Sequence, residues 1–394
     1  MTLAQRSGEE ARLLFLVNVS WFFLSHRLEL AQAAKMAGYD VHVATEICSD
    51  DDARAIRAAG LTLHDVPFGR GASRPWSDVM ALLEARRIMR ELRPDIVHTV
   101  GLKPLVIGGI AGRLAHVPSV VMAITGLGHA FVGDNWWSRL RRSLVKMVLR
   151  VATAHPRSAV IFQNVEDQHA LIKEGIVSPA DARLIRGSGV DVNRFTFIPE
   201  PAGPPRILLA SRMLRTKGVP EFVAAASQLK ARWPDVQFLL AGDPDPGNPA
   251  SLDARELSVL NAGGAVSWIG HCMDLAALMR DVHVVALPTY YKEGVPKVLI
   301  EAAASGRPIV TTDTPGCNDI VRDGVNGLLV APRDVAQLVA ALERLLSDAA
   351  LRRRMGEQGR HIATTEFSLH SVISSTLAIY SALRAEAAGK QAVR

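Results

Sequence analysis

Short apolar runs alternate with amphipathic stretches in two series along this chain, and the alternation restricts the folds open to it. In the first series LLFLVNV (Leu13–Val19) precedes a helical pattern over Arg27–Ala37, which stops at Gly38 before YDVHVAT. A glycine there suits the left-handed residue that closes many helices. Helical residues 51–59, LTLHDV, helical Trp76–Leu92, DIVHTV (Asp95–Val100), helical Leu105–Leu114 and SVVMAI (Ser119–Ile124) follow. The second series runs RILLASR (Arg206–Arg212), VPEFVAAASQLKAR, VQFLLAG, LAALMRD, VHVVALP, KVLIEAAAS, PIVTTD and GLLVAP. Strands joined through helices pair in parallel, and the helices cover both faces of the sheet.

The predicted fold is α/β, with two Rossmann-like doubly wound parallel sheets. A chain of 394 residues exceeds one ordinary core, consistent with two domains. The expected division is 1–195 (with a tail over 1–11), a proline-rich linker over 196–205, a second domain over 206–368, and a C-terminal helix and tail over 369–394. That helix, around His370–Glu386, has no strand after it and is expected to cross back onto the first domain. Sheets of this type bind ligands beyond the carboxyl ends of their strands, so two facing sheets would share one cleft.

The formal charge of +6 invites anionic partners. The excess is local: residues 1–195 hold 24 Lys and Arg against 19 Asp and Glu, and the remainder holds 21 against 20. Cys48, Cys272 and Cys317 stand far apart with no CxxC pair, which points to a reducing cytoplasm and no zinc site. The N-terminus is polar and acidic, unlike a signal peptide, and no run reaches the about 18 apolar residues of a membrane span. The chain is expected to be soluble or at most membrane-peripheral.

In EGVPKVLIEAAASGRP, Glu293 and Glu301 flank an apolar run. The preceding strand places Glu293 on a loop, Pro296 in the first turn of a helix, and Glu301 in its second turn. Free N–H groups at that helix start attract anions, and Gly294 permits close approach of a phosphate. Carboxylates only accept hydrogen bonds and therefore suit sugar hydroxyls. Phosphate plus hydroxyls suggests a nucleotide sugar. The alternative is a capping glutamate before an ordinary amphipathic helix, with Glu301 merely solvated.

EGVPKVLIEAAASGRPIVTTDTPGCNDIVRDGVNGLLV closely resembles the carboxyl-terminal signature of the family 4 retaining glycosyltransferases, which have the GT-B fold. LASRMLRTKGVPEF, LLAGDPDP, VSWIGHCMDLAALMRDVHVVALPT and LIRGSGVDVNRF resemble other elements of that family. FFLSHRLELAQAAKMAGYDVHVAT, DIVHTVGLKP and VMAITGLGHAF resemble its branch acting on polyprenyl-diphosphate-linked oligosaccharides. The resemblance implies that Arg212 and Lys217 hold the donor diphosphate, where two cations suit the charge growing on the leaving group. It implies that Glu301 binds the ribose hydroxyls and that Glu293 binds the transferred sugar or the adjoining phosphate. Gly294, Val295, Pro296, Val298 and Gly242 would complete the donor site. No metal or other cofactor is expected if Arg, Lys and helix N–H groups carry the phosphate charge; Asp243 and Asp245 in DPDP read as a turn facing the nucleotide base.

Members of the family often place a histidine after the strand corresponding to SVVMAI, whereas ITGLGH has Thr125 there and His129 further on. Thr125 and the backbone at Gly126 and Gly128 are the candidates for its sugar-positioning role, with His129 behind them. The resemblance suggests acceptor contacts from His26, after the first strand, and from His98 and Lys103, after the fourth. The family's Gly-Gly-x-x-Glu element reads PGCND, with Pro315 and Asp319 substituted.

In NWWSRLRRSLVKMVLRVATA, Arg139, Arg142, Lys146 and Arg150 fall on one helical face, and Leu140, Leu144, Met147, Val148 and Val151 form another. Trp136 and Trp137 precede them. This is what an interfacial membrane helix requires, each surface cation contributing about 1 kcal/mol near anionic lipid. A domain helix packing its apolar side on the core reads identically. The expected protein is a metal-independent, cytoplasmic, membrane-peripheral transferase, moving a hexose or N-acetylhexosamine from a nucleotide-diphosphate donor, uridine first, to a polyprenyl-diphosphate-linked saccharide in surface-polysaccharide synthesis. Its partners are that donor, that acceptor and a membrane surface met through Trp136–Arg150. A sugar-nucleotide epimerase of the same architecture is one rival. A nucleic-acid-binding protein, prompted by the basic charge, is the other, but it lacks aromatics interleaved along a basic groove, and no nucleic acid partner is expected.

Overall fold

The computed structural model describes residues 10–69, 75–127, 136–291 and 294–391; the side chains of 75, 136–142 and 389–391 are not described. The chain forms two compact units, Met1–Ile185 with Ile373–Arg394, and Arg186–Val372.

The first unit opens with β1 (Ala11–Val19), α1 (Ser20–His26), α2 (Leu28–Met36), β2 (Tyr39–Glu46), α3 (Asp50–Ala58) and β3 (Thr62–Asp65). It continues through α4 (Pro75–Leu92), β4 (Ile96–Val100), α5 (Leu102–Leu114), β5 (Ser119–Ile124), α6 (Trp136–Thr153), β6 (Ser158–Phe162), α7 (Val165–Lys173) and β7 (Ala182–Leu184). The seven strands order as β3-β2-β1-β4-β5-β6-β7, all parallel. Every residue of β4, β5 and β6 is buried, as a sheet covered on both faces demands. Local chemistry sets the helix starts. Ser49 accepts from the Asp52 N–H at the head of α3, which carries Asp50, Asp51 and Asp52 in its first turn, and Asn164 caps α7 in the same way.

The second unit holds β8 (Arg206–Ala210), a 3-10 turn (Arg215–Lys217), α8 (Val219–Lys230), β9 (Gln237–Ala241), α9 (Ala254–Ala262) and β10 (Ser267–Trp268). Then come α10 (Leu275–Arg280), β11 (Val284–Leu287), α11 (Lys297–Ala304), β12 (Ile309–Thr312), α12 (Cys317–Ile320), β13 (Gly327–Val330), α13 (Val335–Ser347) and α14 (Ala349–Glu366). Its six parallel strands order as β10-β9-β8-β11-β12-β13. The last helix, α15 (Leu369–Gln391), belongs from Ile373 onward to the first unit, where Tyr380 is fully buried.

One expectation needs amendment. The boundary falls after Ile185, not after 195, and residues 196–205 belong to the second unit. The carbonyls of Ile198 and Pro199 accept from Arg307 (3.2 and 3.4 Å), and that of Pro201 lies 3.0 Å from the His283 ring nitrogen, so this proline segment is tied down and does not serve as a free linker. The helix expected over 27–37 is α2, and a further short helix, α1, precedes it, the two meeting at the buried Arg27.

Candidate functional site

In the second unit the loops beyond β8, β9, β11 and β12 lock together. Gly218 has φ +80°, and a Cβ there would sit 2.2 Å from the Pro288 carbonyl oxygen. Gly242 has φ +136°, and its Cβ would sit 1.9 Å from the Ser211 oxygen. Only glycine combines that backbone with that approach. The Thr289 hydroxyl and the Tyr290 N–H both donate to the Thr216 carbonyl (3.1 and 3.0 Å), and the Thr312 hydroxyl donates to the Thr289 carbonyl.

This frame carries the charged groups expected from the sequence. Arg212 follows β8, and its Nη1 lies 2.6 Å from Asp245 Oδ2. Lys217 ends the 3-10 turn and is 8% exposed. The Trp268 indole donates to the Gly242 carbonyl (2.9 Å). Pro296 is the N-cap of α11 and supplies no side-chain acceptor, so the helix start has no side-chain cap. Glu301, in the second turn, is 7% exposed, and its Oε1 lies 3.7 Å from Lys297 Nζ. The solvated alternative for Glu301 is thereby set aside: a carboxylate this buried needs cations or donors close by. Gly294 and Val295 are buried and Val298 half-buried beside it. Glu293 lies outside the described residues.

Sequence reasoning missed three supporting features. Asp245 is the ion-pair partner of Arg212, and Asp243 lies 3.1 Å from the His271 ring, so both acids of DPDP have cationic or imidazole partners. Asp319, which replaces the family's usual glutamate, accepts from the Gly316 N–H (3.0 Å) and holds the turn before α12. Arg333, beyond the edge strand β13, stacks over the Tyr290 ring at 4.2 Å with φ +62° and helps fix the loop beyond β11.

In the first unit, Gly101 (φ +92°) ends β4, and a Cβ there would come 3.9 Å from Thr125 Oγ1. The Gly101 N–H donates to the Ala123 carbonyl (2.9 Å). Thr125 and Gly126 (φ +119°) are thus adjacent to the start of α5, where Lys103 pairs with Asp78 (2.6 Å) and donates to the Phe68 carbonyl. His26 stacks on Phe22 at 4.1 Å and meets the Ser25 hydroxyl at 2.7 Å. His129 lies outside the described residues.

His98 does not reach the surface. It sits within β4, 1% exposed, stacked on Phe15 at 5.1 Å and hydrogen-bonded through Nδ1 to the Tyr380 hydroxyl. Burial, together with the nearby Arg27 charge, holds its pKa well below the usual imidazole value. The expected acceptor contact from His98 is corrected accordingly: a neutral core histidine cannot touch a ligand.

Of the apolar face expected on α6, Leu140 lies outside the described side chains and the rest is not packed on the core. Leu149 and Ala152 are buried and Val145 packs beside them, whereas Leu144, Met147, Val148 and Val151 are 37–55% exposed. Lys146 pairs with Glu174 (2.7 Å), and Arg150 donates to the Glu174 carbonyl (2.5 Å). No described helix is long and apolar enough to cross a membrane, and the described residues contain no cluster of three or more His, Cys, Asp or Glu able to hold a metal ion.

A family profile described as glycosyl transferases group 1 matches residues 193–362, and one described as glycosyl transferase 4-like matches residues 12–163. An N,N'-diacetylbacillosaminyl-diphospho-undecaprenol alpha-1,3-N-acetylgalactosaminyltransferase of Campylobacter jejuni is 25% identical over 359 residues, 85% of this chain and 91% of that protein. A glycogen synthase of Mycobacterium tuberculosis is 28% identical over 398 residues, 91% of this chain and 90% of that protein. Among solved structures, a sucrose-phosphate synthase of Thermosynechococcus elongatus superposes with a TM-score of 0.76 at 21% identity, covering 95% of this chain and all of the other.

Proposed function

The chain belongs to the family 4 glycosyltransferases with the GT-B fold, and from that premise we propose that it moves a hexose or N-acetylhexosamine, with retention, from a nucleoside-diphosphate sugar to a polyprenyl-diphosphate-linked saccharide. One observation carries the donor half: Arg212 and Lys217, on the locked loops of the second sheet, and buried Glu301 with the uncapped start of α11, on the helix that follows β11, stand beyond the carboxyl ends of its strands. Arg212 and Lys217 neutralise the pyrophosphate, the α11 N–H groups and Gly294 receive its oxygens, and Glu301 accepts from the ribose hydroxyls. Val295, Pro296, Val298 and Gly242 shape the same pocket, and Glu293 is assigned to the transferred sugar.

In the transfer, the bond from the sugar C1 to the leaving phosphate oxygen breaks while the acceptor oxygen bonds C1 on the same face. The acceptor's hydroxyl proton passes to the departing phosphate oxygen. Charge growing on that phosphate is met by two fixed cations, which is the form of stabilisation that acts on the transition state. That arrangement requires no divalent metal. Thr125 and the Gly126 backbone orient the transferred sugar, and Lys103 and His26 meet the acceptor. UDP is the first donor nucleotide to test.

The acceptor assignment draws on the Campylobacter relative, whose name gives a diphospho-undecaprenol acceptor, and on the exposed apolar face of α6 with its row of cations. A lipid-linked substrate places the enzyme at the cytoplasmic face of a membrane, in surface-glycan synthesis. The glycogen synthase relative favours a second reading, a soluble glucan acceptor. Purified enzyme offered UDP-hexoses or UDP-N-acetylhexosamines with a short polyprenyl-diphosphate saccharide, or with a maltooligosaccharide, separates the two by mass spectrometry. Product anomeric coupling tests retention, and activity in EDTA tests the metal requirement. Turnover on the maltooligosaccharide alone would sink the lipid-linked reading.

A further inference from the structure

A second exposed apolar stripe lies on the first unit, on α4. Trp76 (76% exposed), Val79, Met80 and Leu83 recur at steps of three and four, while Ala81, Ala85, Ile88 and Met89 form the buried side. The exposed line continues into Arg87 and Arg90, which with half-buried Arg86, Leu83 and Glu91 border an open hollow of about 380 Å³. Arg87 is paired with Glu84 (2.6 Å) and Glu91 (2.9 Å). Arg86 and Arg90 have no carboxylate partner among the described residues, and Arg86 Nε is buried without an acceptor. The hollow therefore offers unspent cationic donors directly below an aromatic and aliphatic stripe.

Topology puts this stripe and that of α6 on helices that flank α5. The helices α4, α5 and α6 lead into β4, β5 and β6, with α4 and α6 each packed against α5. Each begins at the carboxyl ends of the strands, so Trp76 and the Trp136–Trp137 pair open their helices at the same end of the sheet. By sequence α6 adds Arg139, Arg141, Arg142, Lys146 and Arg150 with no acidic residue.

We propose that α4 is a second membrane contact, its Trp76–Leu83 stripe entering the apolar zone of an anionic leaflet while Arg86, Arg87 and Arg90 take up headgroup phosphates. This rests on the membrane-docking reading of α6 and widens it from one helix to a two-helix face. A second copy of the chain is the poorer occupant, because a self-complementary contact would set these cations against one another. An anionic lipid surface satisfies stripe and cations together.

The test is flotation of the full chain with vesicles of phosphatidylcholine alone or with about one-third phosphatidylglycerol. The variants are W76S/L83S and R86Q/R90Q on α4, and L144S/M147S on α6. All these side chains except half-buried Arg86 are exposed, and unchanged thermal unfolding with unchanged turnover on a short water-soluble acceptor controls for folding. W76S/L83S is expected to lower partitioning onto anionic vesicles about tenfold. R86Q/R90Q is expected to lower it on anionic vesicles and leave it alone on neutral ones. If both α4 variants partition like wild type while L144S/M147S falls, the α4 contact is overturned and the α6 reading stands. If no variant changes partitioning, or wild type fails to float, both fall. A loss of self-association in W76S/L83S by sedimentation, with flotation unaltered, would assign the stripe to a second copy and also overturn the proposal.

Discussion

Replacing Gly218 by alanine tests whether the locked loops of the second unit matter. Gly218 has φ +80°, and the added Cβ would fall 2.2 Å from Pro288 O and 2.6 Å from Pro288 C. Both are backbone atoms, so no side chain can swing aside. The left-handed conformation costs alanine about 1–2 kcal/mol, and forcing the β8 and β11 loops apart adds about 1–3 kcal/mol. The sum, about 3 kcal/mol, corresponds to a fall in Tm of about 6–12 °C for a unit of this size. Gly264→Ala is the control: φ is +73° but nothing lies within 4 Å, so only the conformational cost applies, about 2–8 °C. Lys217 adjoins Gly218, and Arg212 shares its loop, so Gly218→Ala should also weaken UDP binding in titration calorimetry while Gly264→Ala leaves it unchanged. Equal Tm shifts for the two variants, with equal UDP affinity, would refute the claim that the backbone approach at Gly218 holds the donor site.

Lys217→Met should lower kcat by about 10²–10³ with a smaller change in KM, read from initial rates, because the cation is assigned to charge that grows in the transition state. Glu301→Ala should weaken donor binding by at least about tenfold in calorimetry, since the ribose would lose a charged acceptor. His98 is held neutral by burial, with Arg27 adding to the effect, and His155 and His283 shift the same way, chiefly by burial. Below pH about 6.5 the unfolded chain therefore binds protons that the folded chain refuses, and stability falls as pH drops. Urea midpoints from pH 8 to 5 should show that fall, and it should be shallower in H98F/Y380F. Arg352→Met removes a guanidinium that grips Glu200 through two 2.7 Å contacts and caps the carbonyls of Leu345 and Leu346. The loss should approach about 3 kcal/mol, seen as a fall in Tm of about 6–12 °C, because a half-buried carboxylate is left without its cation.

The strands were legible because a parallel sheet buried on both faces writes itself as runs such as SVVMAI and IVHTV. The position of Glu301 in the second turn of α11 followed from the placement of Pro296. Its burial did not, since burial depends on packing between elements distant in the sequence. SAVIF at β6 follows the amphipathic stretch of α6 in the same alternation, whereas ARL at β7 escaped because it is three residues long and mostly exposed. The misplacement of His98 has a plain cause: its side chain is set by Tyr380, whose hydroxyl bonds it and whose fully buried ring arrives from a helix nearly 300 residues away. The Arg212–Asp245 pair was likewise hidden, because it joins loops on different strands.

The return of α15 has a consequence during synthesis. Arg186–Val372 is one continuous stretch, so it can finish folding as soon as it clears the ribosome. The earlier-made portion must wait for Thr376, Tyr380 and Leu383, all buried, before its interior closes around His98 and Tyr39. The half translated first is thus the half completed last, and until then it exposes an unfilled seat to chaperones and proteases.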